Sequence, residues 1–173
     1  MCSPHRGAII EPRLGYKGTG RRAMIVAVVD GMGGGIGEQI VTQLRQELPL
    51  DIEIVALGIN ATATQRMMQA RANRGASGEN AIRVSINSAD FILAPIGVVI
   101  PNAMMGEVTT TIAEAVAGAT GHKLLLPITH PHFDIVGIER KPLTKQISAA
   151  IDVIRAKLIA ADDHAQRADP ASH

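Results

Sequence analysis

AVVDGMGGGIGEQIV, residues 27–41, joins an apolar run to a segment whose apolar residues recur at helical spacing. Glycine costs backbone entropy on folding, and it is retained where the chain turns tightly or where another group approaches the backbone closely. A tight turn needs one or two glycines, and this segment has five within seven positions. The segment therefore indicates close approach by a ligand. Its glycines are Gly31, Gly33, Gly34, Gly35 and Gly37.

Apolar runs and amphipathic segments alternate along the rest of the chain. The run 23–30, AMIVAVVD, is continuously apolar, as in a strand buried on both faces of a sheet. Ile36 to Leu48 have helical spacing, and Pro49 ends that helix. The alternation predicts an α/β fold, a single Rossmann-like doubly wound domain with a mainly parallel sheet. Further strands are predicted at 51–58, 89–97, 122–128 and 133–138, and further helices at 62–75, 77–88, 109–121 and from Pro142 onward.

The chain divides into three regions by composition. Residues 1–22 carry five basic residues against one acid and have no apolar periodicity. They predict a flexible basic N-terminal extension or, alternatively, an arm that binds an anionic surface. Residues 23–161 form the predicted Rossmann-like nucleotide-binding domain. Residues 162–173 are polar and predict a flexible C-terminal tail.

Composition excludes several classes of function. A net charge of +1 and 2% aromatic residues give neither the basic surface nor the stacking platform of a nucleic-acid-binding protein. The most apolar stretch, 91–105, is interrupted by Pro95 and Pro101, whereas a membrane-spanning helix needs about 20 apolar residues. The chain has no signal-peptide pattern at its start, and its one cysteine, Cys2, fits a reducing compartment. We therefore expect a cytoplasmic protein with no nucleic-acid or membrane partner.

The glycine segment lies between the first predicted strand and the first predicted helix, where doubly wound folds bind phosphate. The N–H groups at a helix start have no helical partner, and glycine lets a pyrophosphate reach them. A Walker loop is excluded, because Glu38 and Gln39 stand where that motif has lysine and serine or threonine. Asp30 is either a turn-forming residue or the acid nearest the ligand. The expected cofactor-binding residues here are Asp30, Gly31, Met32, Gly33, Gly34, Gly35, Ile36 and Gly37.

The spacing Gly-x-x-x-Gly-Ile-Gly, met by Gly31 and residues 35–37, resembles the fingerprint of the short-chain dehydrogenase/reductases. The later segment APIGVV, residues 94–99, resembles the Asn-Ala-Gly loop of that superfamily, which lies along the cofactor. The resemblance implies binding of a nicotinamide dinucleotide, NADP or NAD. The residues that it places beside the cofactor are Pro95, Ile96 and Gly97.

This chain departs from that superfamily in two ways. Its members use a Tyr-x-x-x-Lys pair for proton transfer, and the only tyrosine here, Tyr16, precedes the predicted domain. NAD-selective members have an acid at the end of the second strand, where this chain has Gly58. Asn60, Thr62 and Arg66 follow as candidates to hydrogen-bond a ribose or its phosphate, although Asn60 and Thr62 are equally good helix caps. NADP is therefore favoured over NAD.

Four segments in the same order resemble a prokaryotic family of small Rossmann-like proteins, domain of unknown function 3842. They are VVDGMGGGIGEQIV, ALGINATAT, GASGENAIRV and ADFILAPIGVVIPNAMMGEVT, and the resemblance covers residues 24–158. It implies a small Rossmann-like protein and supplies no activity, substrate or catalytic residue.

Three further groups of residues carry alternatives. His130 and His132, with Asp134, are spaced to share one face of a strand, which suits a metal site or only a polar loop beside the pocket. Glu79 is either a base at the pocket rim or an acid that stabilises the start of a helix. The apolar segment 98–105 is a pocket lid, an oligomer contact or part of the core.

These patterns together predict a dinucleotide-binding protein that is either a sensing or regulatory module or a small oxidoreductase. No acid–base pair is recognisable, which favours the module. A metal-dependent enzyme or metal carrier using His130 and His132 is the alternative. We also expect the chain to form homo-oligomers.

Overall fold

The structure is a computed structural model, and it describes residues 23–128 and 135–168. Strands and helices alternate through these ranges. The strands are β1 (Ile25–Asp30), β2 (Glu53–Gly58), β3 (Arg74–Ser77), β4 (Phe91–Pro95) and β5 (His122–Leu126). The helices are α1 (Gly35–Glu47), α2 (Ala61–Gln69), α3 (Glu79–Ser85), α4 (Thr110–Gly118) and α5 (Leu143–Ala168). Short 3₁₀ turns lie at Ile86–Ser88, Ile96–Val99 and Met104–Gly106.

The five strands form one parallel sheet in the order β3-β2-β1-β4-β5. β1 is central, since Val26 pairs with Ile54 of β2 on one side and with Phe91 of β4 on the other. Parallel strands need crossover connections, and a helix lies in each connection from β1 to β5. The strand order reverses between β1 and β4. The α/β prediction is confirmed, and the sheet is consistent with a Rossmann-like fold.

Two aliphatic cores cover the two faces of the sheet. On one face, Val28 of β1 packs in a cluster with Leu44 of α1 and Ile151 of α5, which α2 also joins. On the other face, Val29 of β1 and Ile112 of α4 belong to a second cluster, together with α3. Each fully buried aliphatic side chain contributes about 1.5–3 kcal/mol relative to exposure, so the core forms with few aromatic residues.

The helix predicted over 62–75 is wrong in its second half. α2 ends at Gln69, and the edge strand β3 follows after a short turn. Asn73 directs the chain into the sheet, because its N–H donates to the carbonyl of Ile54 at 2.8 Å and its Oδ1 accepts the Ile54 N–H at 2.7 Å. Gly75, predicted to end the helix, lies in β3 instead. Pairing with Ile54, which is 19 residues from Asn73, therefore overrides the local helical pattern.

After β3, one predicted helix is correct and one predicted strand is wrong. The helix predicted over 77–88 is confirmed, as α3 followed by a 3₁₀ turn. The strand predicted at 133–138 is wrong for its described part, because residues 135–138 form a turn in which Gly137 has a φ of 83°. α5 continues to Ala168, past the predicted domain end at residue 161. The predicted extension, residues 1–22, lies outside the described residues.

Candidate functional site

The two segments predicted to bind a cofactor meet at the carboxyl edge of the sheet. Residues 31–34 connect β1 to α1, and residues 96–99 leave β4 as a 3₁₀ turn. Because the strand order reverses between β1 and β4, the two connections lead to opposite faces of the sheet, and the position between them is called the crevice below. Ligands of open parallel sheets bind in a crevice of this kind. Pro95 is buried at the end of β4, and Ile96 and Gly97 are half-buried beside it.

Asp30, at the end of β1, is 3% exposed and binds the backbone of the glycine segment. Its Oδ1 accepts the Gly31 N–H at 2.8 Å, and its Oδ2 accepts the Gly37 N–H at 2.6 Å. Burial raises the pKa of Asp30, and the N–H groups of Gly37, Gly31 and Ile36 lower it by less, so the net shift is upward. Asp30 therefore stabilises the start of α1 from inside the fold, which is its turn-forming role.

Three of the five glycines are explained by the protein itself. A Cβ on Gly31 would lie 2.8 Å from Sδ of Met104, and one on Gly37 would lie 2.7 Å from Sδ of Met67. Gly34 has a φ of 72°, in the left-handed region that side-chain-bearing residues rarely adopt. Close packing and a turn therefore account for these three positions.

Gly33 and Gly35 have no such explanation. No heavy atom of the described chain lies within 4 Å of a Cβ built on Gly33. At Gly35 the nearest such atom is Nη1 of Arg66, at an ordinary contact distance of 3.7 Å. Neither residue has a positive φ, and neither N–H donates to another residue in the described part of the chain. Both glycines thus leave open space and a free backbone donor at the start of α1.

Arg66 brings a positive charge to this open side. It lies on α2, and its Nη1 is 3.9 Å from Oε2 of Glu38 on α1, with both side chains half-exposed. An exposed ion pair of this length contributes little free energy, so the guanidinium can change partner readily. Thr62, exposed in the first turn of α2, adds a hydroxyl on the same helix. A cation, a helix start and two open glycines therefore occupy one region of the edge.

Asn60 connects the glycine segment to α2. Its Oδ1 accepts the Ala63 N–H at 2.8 Å, so Asn60 is the cap of α2 and Thr62 is not. Its Nδ2 donates to the carbonyl of Met32 at 2.9 Å and to Oε2 of Glu107 at 2.8 Å. The capping interpretation of Asn60 is therefore correct, and both ends of its amide are engaged within the protein.

Glu107 and Met104 belong to the site. The sequence offered the segment that contains Met104 as a pocket lid, an oligomer contact or part of the core, and it did not indicate Glu107. Oε2 of Glu107 accepts the Met32 N–H at 2.8 Å. Met104 lies across the crevice, because its Sδ is the nearest atom to a Cβ on Gly31 and its Cε lies 3.5 Å from one on Gly97. Glu107 is the one charged residue in the sequence between 91 and 113, and this isolation was the available signal.

The remaining candidates lie away from the glycines or outside the described chain. Oε2 of Glu79 accepts a hydrogen bond from the hydroxyl of Thr109 at 2.5 Å, and Thr109 caps α4. Glu79 is also the first residue of α3, so it supports the starts of two helices. His130 and His132 lie outside the described residues. Within residues 23–128 and 135–168, no group of three or more His, Cys, Asp and Glu could hold a metal ion. No helix in those ranges is long and apolar enough to span a membrane.

Comparison with known proteins places the chain in a family. The model of the family described as domain of unknown function (DUF3842) matches residues 25–159, from the first residue of β1 into α5. No protein with a curated description matches the chain. The match covers most of the sequence, and the chain therefore belongs to the DUF3842 family.

Proposed function

We propose that this DUF3842 protein binds the pyrophosphate of a dinucleotide, NADP or NAD, at Gly33 and Gly35. The observation that carries the proposal is the division among the five glycines. Packing or φ accounts for three of them, whereas Gly33 and Gly35 leave space that no described atom fills. Glycine in such a position allows a ligand to reach the backbone without meeting a Cβ.

The charges at the open side suit a phosphate. The start of α1 carries partial positive charge, and Gly33 and Gly35 offer N–H groups without a partner in the described chain. Arg66 adds a planar cation with several donors, the group that binds phosphate in pairs of hydrogen bonds. A hydrogen bond to a charged acceptor contributes about 1.5–3 kcal/mol, so a few such contacts provide measurable affinity.

Three backbone N–H groups of the glycine segment already donate to carboxyl groups of the protein. Asp30 accepts from Gly31 and Gly37, and Glu107 accepts from Met32. The proposed phosphate therefore contacts the outer side of the segment, rather than the full run from Gly31 to Gly37. This restricts the first contacts to Gly33, Gly35 and Arg66.

The end of β2 favours NADP over NAD. An acid there binds the ribose hydroxyls of NAD in dinucleotide-binding folds. Here Gly58 ends the strand, Ile59 follows, and the amide of Asn60 is engaged by Ala63, Met32 and Glu107. No carboxylate of this connection repels a 2′-phosphate, and the exposed Arg66 attracts one.

A sensing or regulatory module is the role that we favour over a small oxidoreductase. A bound nicotinamide ring would supply hydride-transfer chemistry, and an oxidoreductase needs a group that moves a proton alongside it. Asp30 is buried and engaged by backbone N–H groups, and the Glu107 carboxylate is bound to Met32 and Asn60. Neither carboxyl is free to act as a base in this arrangement.

Exposed methionines at the rim support self-association as part of the same proposal. Met32, on the connection after β1, is 48% exposed, and Met105, in the 3₁₀ turn Met104–Gly106, is 92% exposed. Methionine is adaptable at protein interfaces, and large exposed apolar side chains favour contact with a second chain.

Calorimetric titration of the full chain with NADP, NAD, their reduced forms and pyrophosphate tests the proposal. Gly35→Asp places a Cβ and a negative charge at the open position, and it should weaken binding about 30- to 1000-fold. Gly118→Asp is the matched control, since Gly118 is also open but lies at the far end of α4. Failure of all five ligands to bind below about 1 mM would overturn the proposal. Equal binding by folded Gly35→Asp would place the ligand elsewhere.

A further inference from the structure

We infer that residues 100–108 form a lid over the crevice and that Glu107 is the latch that holds this lid closed. The Glu107 carboxylate lies where an anionic ligand would bind. The latch consists of two hydrogen bonds to one carboxylate oxygen. Oε2 of Glu107 accepts the Met32 N–H at 2.8 Å and the Asn60 Nδ2–H at 2.8 Å. An internal carboxylate thus occupies donors at the edge of the proposed phosphate site. Only the identity of the ligand that opens the lid rests on the proposed function.

The base of the lid is fixed, and its tip is held by few contacts. The Asn102 N–H donates to the carbonyl of Val108 at 2.7 Å, and the Val108 N–H donates to the carbonyl of Ala103 at 3.2 Å. Ala103 and Val108 are both buried in the core. The tip, residues 104–107, lies between these two anchors. It can therefore move as a short loop while the core stays intact.

The tip has a strained backbone. Met104 and Met105 have φ values of 56° and 58°, a region that glycine adopts without cost and that methionine rarely adopts. Met105 is 92% exposed, so its own packing does not offset the strain. A strained conformation persists only where the surrounding contacts hold it. Here those contacts are the Glu107 latch, the position of Met104 and two hydrogen bonds within the turn. The Gly106 N–H donates to the carbonyl of Ala103, and the Glu107 N–H donates to the carbonyl of Met104, both at 3.2 Å.

Met104 closes the crevice because Gly31 lacks a side chain. Its Sδ would lie 2.8 Å from a Cβ at Gly31, and its Cε lies 3.5 Å from a Cβ at Gly97. The methionine therefore lies between the connections that follow β1 and β4, at the position where the strand order reverses. Opening the lid would remove this side chain from the crevice.

The two sides of the site then have separate roles. Gly33, Gly35 and Arg66 remain accessible while the lid is closed. Opening frees the Met32 N–H and the Asn60 amide, which adds two donors for an anionic ligand. A phosphate competes directly with the Glu107 carboxylate for these donors, so ligand binding and lid opening favour each other.

Hydrogen exchange of the full chain, followed by mass spectrometry without ligand, tests the latch. Glu107→Ala should speed exchange in peptides covering 31–37 and 100–108 by about 10- to 100-fold, the range expected for losing a charged hydrogen bond. Glu107→Gln keeps an oxygen acceptor but no charge, and its exchange should be intermediate. Glu114→Gln, on the exposed side of α4, is the matched control and should have no effect. Unchanged exchange in residues 25–30 shows that each variant remains folded.

Met105→Asn should slow hydrogen exchange in the lid, whereas the Glu107 variants should speed it. Asparagine tolerates a positive φ better than methionine does, so the variant relieves strain in the closed lid and should slow exchange in 100–108 by about threefold. The inference is overturned if Glu107→Ala and Glu107→Gln exchange like the wild type in both peptides. It is also overturned if their exchange rises in 25–30 as much as in the lid, since Glu107 would then stabilise the whole fold.

Ligand titration separates the lid from the proposed function. Pyrophosphate and NADP should speed exchange in 100–108 of the wild type while protecting 33–35, and Glu107→Ala should bind both more tightly. If neither binds but the Glu107 variants still loosen the lid, the latch is supported and the dinucleotide proposal fails. If both bind and Glu107→Ala binds no more tightly, the carboxylate does not compete with the ligand and the latch inference fails.

Discussion

The carboxylate of Asp30 lies 2.6 Å from the backbone N–H of Gly37, so the last residue of β1 holds the first turn of α1. The same carboxylate accepts the Gly31 N–H, which fixes both ends of the glycine segment. The segment is therefore positioned before any ligand arrives. Several measurable properties depend on this arrangement.

Asp30→Asn should lower the free energy of unfolding at neutral pH by about 1–3 kcal/mol. An amide presents one oxygen and one NH₂ group, so either the Gly31 or the Gly37 N–H faces a donor in the buried site. Urea denaturation followed by circular dichroism measures the change. Stability equal to the wild type would mean that the two N–H groups do not depend on the carboxylate.

The pH dependence of stability should report the raised pKa of Asp30. The native state holds this proton more tightly than the unfolded chain, so between the ordinary value of 3.8 and the raised native pKa the native state binds more protons. The part of the Asp30 contribution that depends on its proton is therefore fully present below 3.8 and is lost as pH rises through the native pKa, whereas the hydrogen bonds from Gly31 and Gly37 remain. The stability of the wild type minus that of Asp30→Asn should fall as pH rises from about 3.5 to 7. A constant or rising difference would contradict the upward shift.

Replacing Gly35 and Gly37 by alanine should change the free energy of unfolding in opposite directions, although both residues lie in the first turn of α1. Alanine at Gly35 meets only Arg66 at an ordinary distance, and it should raise stability by about 0.5–1 kcal/mol through helix propensity. Alanine at Gly37 would crowd Met67, and it should lower stability by about 1–3 kcal/mol. Thermal and urea denaturation of the two variants test the division among the glycines. Equal effects would contradict it.

Sedimentation at micromolar concentration tests self-association. The chain has a mass of 18.2 kDa, and we expect a multiple of this value. Met105→Lys should shift the equilibrium toward the monomer, because it replaces an apolar side chain that is almost fully exposed. Val84→Lys, on the exposed surface of α3, is the control. A wild-type protein that sediments at 18.2 kDa would reject the proposal.

Elements with strong local patterns were predicted from the sequence. β1 is a continuous apolar run, α1 has regular apolar spacing and a following proline, and each depends little on distant residues. β3 was missed because Arg74–Ser77 is a short exposed edge strand with no alternation of apolar residues. The hydrogen bonds between Asn73 and Ile54 place it beside β2, and the sequence of the segment itself does not record them.

The site was predicted less completely, because its contacts join distant parts of the chain. Glu107 is 75 residues from Met32 and 47 from Asn60, so no local motif connects them. The five glycines look equivalent in sequence. The positions of Met67 and Met104 and the positive φ of Gly34 distinguish the three explained ones from the two open ones. In sequence, Asn60 suits a ligand contact and a helix cap equally well, and the hydrogen bond from the Ala63 N–H identifies it as the cap.

The central place of β1 also affects synthesis on the ribosome. β1 can pair with β2 once residue 58 has emerged, but its other edge waits for β4, which begins at Phe91. During that interval the nascent chain exposes an unpaired apolar edge, the kind of surface that joins neighbouring chains. We therefore expect chains truncated between β3 and β4 to aggregate, and the completion of β4 to be the step that protects the growing polypeptide.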